Sequence, residues 1–153
     1  MIKTLSLTIL STLIWVAPAA AIKHGKWNNE KIQGFEKYWT DAADGSRFTI
    51  WCHKKRKYSG TVVDIDIDGK NAPPSKEISI VIDRKLLNMT ADEGGYVQTD
   101  CATCADGYKV LWNRLRSGSS LAVKFKDNRY AAFSLKGARE ILSKDTCPAD
   151  FYK

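Results

Sequence analysis

A chain of 153 residues, 44% of them hydrophobic, is one domain's worth of sequence and enough for a modest core. Its 24 lysines and arginines against 17 acids give a formal charge of +7, which suits anionic partners such as lipid headgroups, cell-wall polymers or an acidic protein face without choosing among them. No apolar run reaches the about 20 residues of a spanning helix, so no transmembrane segment is expected.

The N-terminus reads as a secretory signal peptide over residues 1–21. Lys3 precedes an apolar run at 5–17, and Pro18 precedes Ala19-Ala20-Ala21, with alanine at the −3 and −1 positions of the expected cut. No cysteine stands at that site, so a lipid-modified start is not expected. The mature chain from Ile22 is expected to be exported, to the periplasm or outside the cell. Residues 22–35, polar with isolated aromatics, are expected to form a loosely held arm ahead of a single β-rich domain at 36–153.

Within that domain Asp44-Gly45-Ser46 marks a turn, and Phe48-Thr49-Ile50-Trp51-Cys52, β-branched and aromatic, reads as a strand. Residues 61–68 and 77–83 read as two more, and 95–99 as a short fourth. Tyr108, Leu111, Trp112 and Leu115 fall at i, i+3, i+4 and i+7, the apolar stripe of a helix stopping near Gly118. Residues 121–125 and 130–135 flank Asp127-Asn128 as a hairpin, and 138–143 suit a short helix. Strands dominate, so the expected fold is mainly β or α+β, a β-sandwich-like domain with one medium and one short helix.

Asp64, Asp66, Asp68 and Gly69 copy the first half of an EF-hand calcium loop. The second half is missing: Pro73 and Pro74 interrupt it, and Ser75 stands where the bidentate Glu belongs. Val63, Ile65 and Ile67 alternate with the aspartates, which is the period of a strand with one wet face. A strand cannot wrap three carboxylates around one ion, so no metal site is expected.

The four cysteines of the mature region suit an oxidising compartment. Of the three pairings they allow, Cys52 with Cys147 and Cys101 with Cys104 is the one expected, the first tying an early strand to the C-terminus. Cys101-Ala102-Thr103-Cys104 lies at a helix start, where a redox dithiol finds a lowered thiol pKa. No βαβ pattern surrounds it, however, and a structural short-loop disulfide is the favoured reading, ahead of a thiol–disulfide redox protein.

His53 opens the densest positive run, Lys54, Lys55, Arg56 and Lys57. The run is a candidate patch for an anionic envelope polymer or another partner. The plainer reading is a solvated hairpin that sets His53 and Lys55 across from Asp64 and Asp66. Catalytic machinery is hard to assemble: only two histidines exist, and no G-x-S-x-G, H-E-x-x-H or glycine-rich phosphate loop appears. No enzyme activity and no cofactor are therefore expected.

From Cys101 onward, Leu115, Gly118, Leu121, Val123 and Phe125, followed by Ser134-Leu135-Lys136-Gly137, resemble the C-terminal part of small exported bacterial proteins of the invasion-associated locus B type. Ala138 stands where that pattern usually has an aromatic, the first two cysteines are closer together, and Cys147 is added. The resemblance implies a β-rich periplasmic or secreted protein without known catalytic residues and with a loose, virulence-related link to host association. The expectation is thus a non-enzymatic envelope protein that binds another protein, with an anionic polymer or a redox role as alternatives and nucleic acid not among its partners.

Overall fold

Alternation between apolar and polar residues sets most of the architecture. The computed structural model describes residues 25–53, 60–149 and 151, so the expected signal peptide and the run from Lys54 to Lys57 lie outside the described residues. The elements follow as β1 (Asn28–Ile32), β2 (Phe35–Asp41), β3 (Arg47–Cys52), β4 (Val62–Asp66), β5 (Glu77–Ile82), β6 (Lys85–Thr90), α1 (Ala102–Ser117), β7 (Ser120–Phe125), β8 (Tyr130–Ser134) and α2 (Ala138–Ile141). They form two antiparallel four-stranded sheets, ordered β1-β2-β3-β4 and β6-β5-β7-β8, a β-sandwich-like α+β fold.

The core lies between the sheets. Phe48, Ile50, Val63 and Ile65 point inward from the first, and Ile78, Ile80, Val123 and Phe125 from the second. Each such side chain contributes about 1.5–3 kcal/mol by burial. Helix α1 buries Tyr108, Leu111, Trp112 and Leu115, the stripe read from sequence, and Trp112 meets Tyr38 of β2 edge-on at 5.8 Å. Cys101, with extended backbone, caps α1 by accepting from the Cys104 amide at 3.1 Å. Gly118, with extended backbone, caps the helix end where a side chain has no room: a Cβ there would lie 2.6 Å from Ile82 Cγ2.

Both expected disulfides are present, with Cα atoms 5.9 Å apart for Cys52–Cys147 and 4.9 Å apart for Cys101–Cys104. The C-terminal segment is further held where Thr61 donates to the Pro148 carbonyl and the Phe151 amide donates to the Thr99 carbonyl.

Several expectations change. The loosely held arm at 22–35 is structured where it is described: β1 pairs with β2, and Trp27 is 1% exposed with its Nε1 donating to the Ser134 carbonyl at 3.0 Å. As an edge strand with little buried on either face, β1 lacks the alternation that marks a strand in sequence. Hairpin partner β6 was also not legible, because its turn is Asp83-Arg84, both at positive φ (47° and 66°), without the glycine that usually signals such a turn. Residues 95–99 form no strand; Val97 makes two isolated bridges, to Val63 of β4 and to Ala91 just after β6.

The aspartate stretch is a strand followed by a tight turn. Asp68 and Gly69, both at positive φ, join Ile67 to Lys70. The register sets Asp64 opposite Thr49 and Asp66 opposite Arg47 rather than opposite His53, while Lys55 of the expected pairing lies outside the described residues. His53 is instead buried, its ring packed against Phe35 at 4.6 Å.

Candidate functional site

The two sheets share one core but differ on their outer faces. On the second sheet the outward positions alternate small and polar groups, Ser79, Asn88, Ala122, Ala132 and Ser134, with Val81, Lys124 and the exposed Leu86 and Tyr130, which are scattered and carry no tryptophan. On the first sheet the corresponding positions hold Phe35, Lys37 and Trp39 of β2, Trp51 of β3 and Val62 of β4. Among the described residues no helix or strand covers that row, and its large side chains are half-buried.

Lys37 organises the centre. The register sets it between Glu30 and Trp51. Its Nζ lies 3.2 Å from Glu30 Oε1, and 4.8 and 4.9 Å from the ring centroids of Trp39 and Trp51. An ammonium over two indoles is held by their negative ring faces, and each such contact contributes about 0.5–1 kcal/mol where solvent still reaches it.

Beside this row lies a cleft of about 480 Å³ lined by Ile32, Gln33, Phe35, Trp51, Val62, Asp64 and Tyr96. Ile32 and Gln33 come from the β1–β2 turn. Tyr96 is set at the rim by the preceding turn, in which Asp92 Oδ1 accepts from the amides of Gly94 at 2.8 Å and Tyr96 at 2.9 Å. Gly95 is required there: its φ is +83°, and a Cβ would lie 2.5 Å from the Ala72 carbonyl oxygen. Asp64 is the charged member of the lining. Asn71 Nδ2 donates to its Oδ1, and burial pushes the carboxyl above its ordinary pKa, with Asp66 adding to the rise against the Asn71 bond.

Across the Asp92–Tyr96 turn a second cleft, about 500 Å³, is lined in part by Asp92, Glu93 and Asp100. A third, about 440 Å³, lies at the α1–α2 junction and is basic, with Arg116, Arg139 and Lys144 beside Asn113 and Ser117.

The candidate run Lys54, Lys55, Arg56 and Lys57 lies outside the described residues, between β3 and β4 in the chain. Cys101 and Cys104 stand apart from the aromatic cleft, at the half-buried start of α1. Among the described residues no three His, Cys, Asp or Glu side chains converge as metal ligands, and no helix is long and apolar enough to cross a membrane. Sequence reasoning missed the aromatic face, although Phe35, Lys37 and Trp39 at alternate positions, with Trp51 out of phase with Phe48, Ile50 and Cys52, carried its signal.

Neither a curated protein nor a solved structure matches the chain. The family described as YfjT matches residues 25–142, from the segment before β1 through the end of α2, and the chain belongs to that family.

Proposed function

We propose that this chain is an exported, non-enzymatic envelope protein that works by binding another protein through the outward face of β1–β4. The observation that carries the reading is the aromatic cluster on the first sheet's outer face: Phe35, Trp51 and Tyr96 line a cleft, with Trp39 in the same row, whereas the second sheet's outer face has only single large residues such as Leu86 and Tyr130. Aromatic side chains on a rigid sheet supply contact area at little cost in conformational entropy, which is why binding surfaces collect them. The leader-like N-terminus and two disulfides support an oxidising compartment outside the cytoplasm. The resemblance to invasion-associated locus B proteins supports host association as the setting.

A photoactivatable residue in place of Gln33, at the cleft's lip, tests this on intact cells that make the protein. One discrete protein adduct, lost when Trp51→Ala is added, is the expected result. Adducts only to lipid or polysaccharide would overturn it.

The basic cleft of Arg116, Arg139 and Lys144 favours a second reading, binding of an anionic envelope polymer. That reading requires affinity for a polyanion that falls steeply with salt and with Arg116→Gln and Arg139→Gln together.

A further inference from the structure

We propose that the cleft beside Trp51 receives an arginine or lysine side chain from a basic segment of the partner protein, and that this segment continues past Tyr96 onto the acidic cleft behind it. The inference rests on the protein-binding function proposed above and names the chemistry of the partner.

Three features of the lining select such a side chain. Phe35, Trp51 and Tyr96 are in the lining, and a guanidinium or ammonium is drawn to aromatic rings. Ile32 and Val62 give a dry wall for the methylene stem, which long cationic side chains bury while the head stays polar. Asp64 supplies the carboxylate: its Oδ1 is held by Asn71, and among the described residues no donor takes Oδ2. The protein already uses this chemistry at Trp51 itself, where Lys37 lies over Trp39 and Trp51 with Glu30 as its carboxylate.

Charge selects the rest of the segment. Asp66 lies two residues beyond Asp64 on β4, and Asp92, Glu93 and Asp100 line the cleft on the far side of the Tyr96 turn. Among the described residues that line the two clefts, Asp64, Asp92, Glu93 and Asp100 carry charge and no basic side chain does. These four acids disfavour a polyanion in the two clefts. A sugar finds Ile32, Val62 and Phe35 where it needs hydrogen-bond partners for its hydroxyls. The raised pKa of Asp64 agrees with a carboxylate that lacks its counter-ion in the free protein.

The test is an NMR titration of the purified chain with acetyl-Gly-Gly-Arg-Gly-Gly-amide and with the same peptide carrying citrulline, which keeps the shape of arginine without its charge. The arginine peptide is expected to shift the Trp51 indole and Tyr96 ring signals, with the citrulline peptide at least about tenfold weaker. Asp64→Asn should weaken the arginine peptide about tenfold, as loss of a charge-assisted hydrogen bond does. Tyr96→Ala, at the exposed rim, should also weaken it and serves as a second variant if Trp51→Ala does not fold. Equal binding of the two peptides, indifference to Asp64→Asn, no shift at about 10 mM peptide, or choline binding more tightly than the peptide would each overturn the proposal. If the Gln33 cross-link to a protein persists while the arginine peptide fails, the occupant is wrong and the binding face stands. If the cross-link itself is absent, the functional reading fails first.

Discussion

Arg129 Nη2 donates to the carbonyl of Asn71 at 2.7 Å. The same guanidinium donates from Nη1 to the carbonyls of Ile67 at 2.9 Å and Lys70 at 2.6 Å, while Asp127 accepts from its Nε at 2.8 Å and Phe125 lies 4.9 Å beneath it. One side chain of the β7–β8 hairpin therefore closes the loop that leaves β4 and joins the two sheets. Arg129→Ala should cost about 2–3 kcal/mol by chemical denaturation, since three carbonyls lose a charged donor. Arg129→Lys should recover less than half of that, because an ammonium cannot reproduce the planar fork. A loss below about 0.5 kcal/mol would show that water replaces the guanidinium without penalty.

The same geometry bears on calcium. Carbonyls of the aspartate loop face a guanidinium, and Asp64 and Asp66 stand on a strand opposite Thr49 and Arg47. Millimolar calcium should leave Tm unchanged. A rise of several degrees that disappears in Asp66→Ala would mean that the loop rearranges around the ion.

Two aspartates should give opposite pH responses. Asp83 accepts from the amides of Ser119 and Ser120 and from the Ser120 hydroxyl, which holds its carboxyl below the ordinary pKa. Its stabilisation is therefore complete above the unfolded value, about 3.9, and is lost as pH falls through the lowered native value. Asp64 is the reverse case, raised chiefly by burial. The native state keeps its proton longer than the unfolded state, so the associated stability is present in acid and lost as pH rises through the native value. Thermal melts at neutral pH should show Asp83→Asn below wild type and Asp64→Asn above it, both converging on wild type in acid. Asp64→Asn below wild type at neutral pH would contradict the burial argument.

The disulfides should differ in what they support. Replacing Cys52 and Cys147 by serine should cost about 2–5 kcal/mol, because the bridge closes a loop of 95 residues. Replacing Cys101 and Cys104 should cost less and leave the Gln33 cross-link intact, since Cys101→Ser preserves the N-cap of α1. Oxidoreductase activity lost on Cys101→Ser, with a reduction potential of about −120 to −180 mV, would make this a redox protein instead.

Gly118→Ala should destabilise by about 1–3 kcal/mol, through overpacking rather than backbone strain. Its φ of −86° is ordinary, whereas its Cβ would meet Ile82, Leu135 and the Arg114 carbonyl at under 3.0 Å. A neutral effect would show that Ile82 can move aside.

Legibility in the sequence followed the strength of periodic signals. Helix α1 and strands β3, β4, β5, β7 and β8 were readable because each buries one face against a common core. Strand β1 was not, since neither face is deeply buried, and β6 was hidden behind a turn in which Asp83 and Arg84 take a conformation usually left to glycine or asparagine. The candidate site was legible only in part. Asp64 stood out for the wrong reason, as one of three alternating acids, while Trp39 drew no reading and Trp51 only that of a strand residue, because a single sequence does not say which face of a strand a tryptophan takes. That assignment depends on register, and the register of β2 against β3 is fixed by Tyr38 and Ile50 facing the core together.

The bridge Cys101–Cys104 lies inside the loop closed by Cys52–Cys147, and this nesting sets an order-of-events problem. If the chain is exported as proposed, N-terminus first, it meets the oxidant with Cys52 alone, and the next thiols to arrive are Cys101 and Cys104, long before Cys147. Pairing strictly by order of arrival would join Cys52 to the wrong partner. Reaching the native pattern therefore requires either that Cys101 and Cys104, three residues apart, close on each other first, or that an isomerase of the compartment reshuffles the early bond. The spacing of the short bridge thus serves the chain while it is still incomplete, by keeping two thiols away from Cys52 until its true partner arrives.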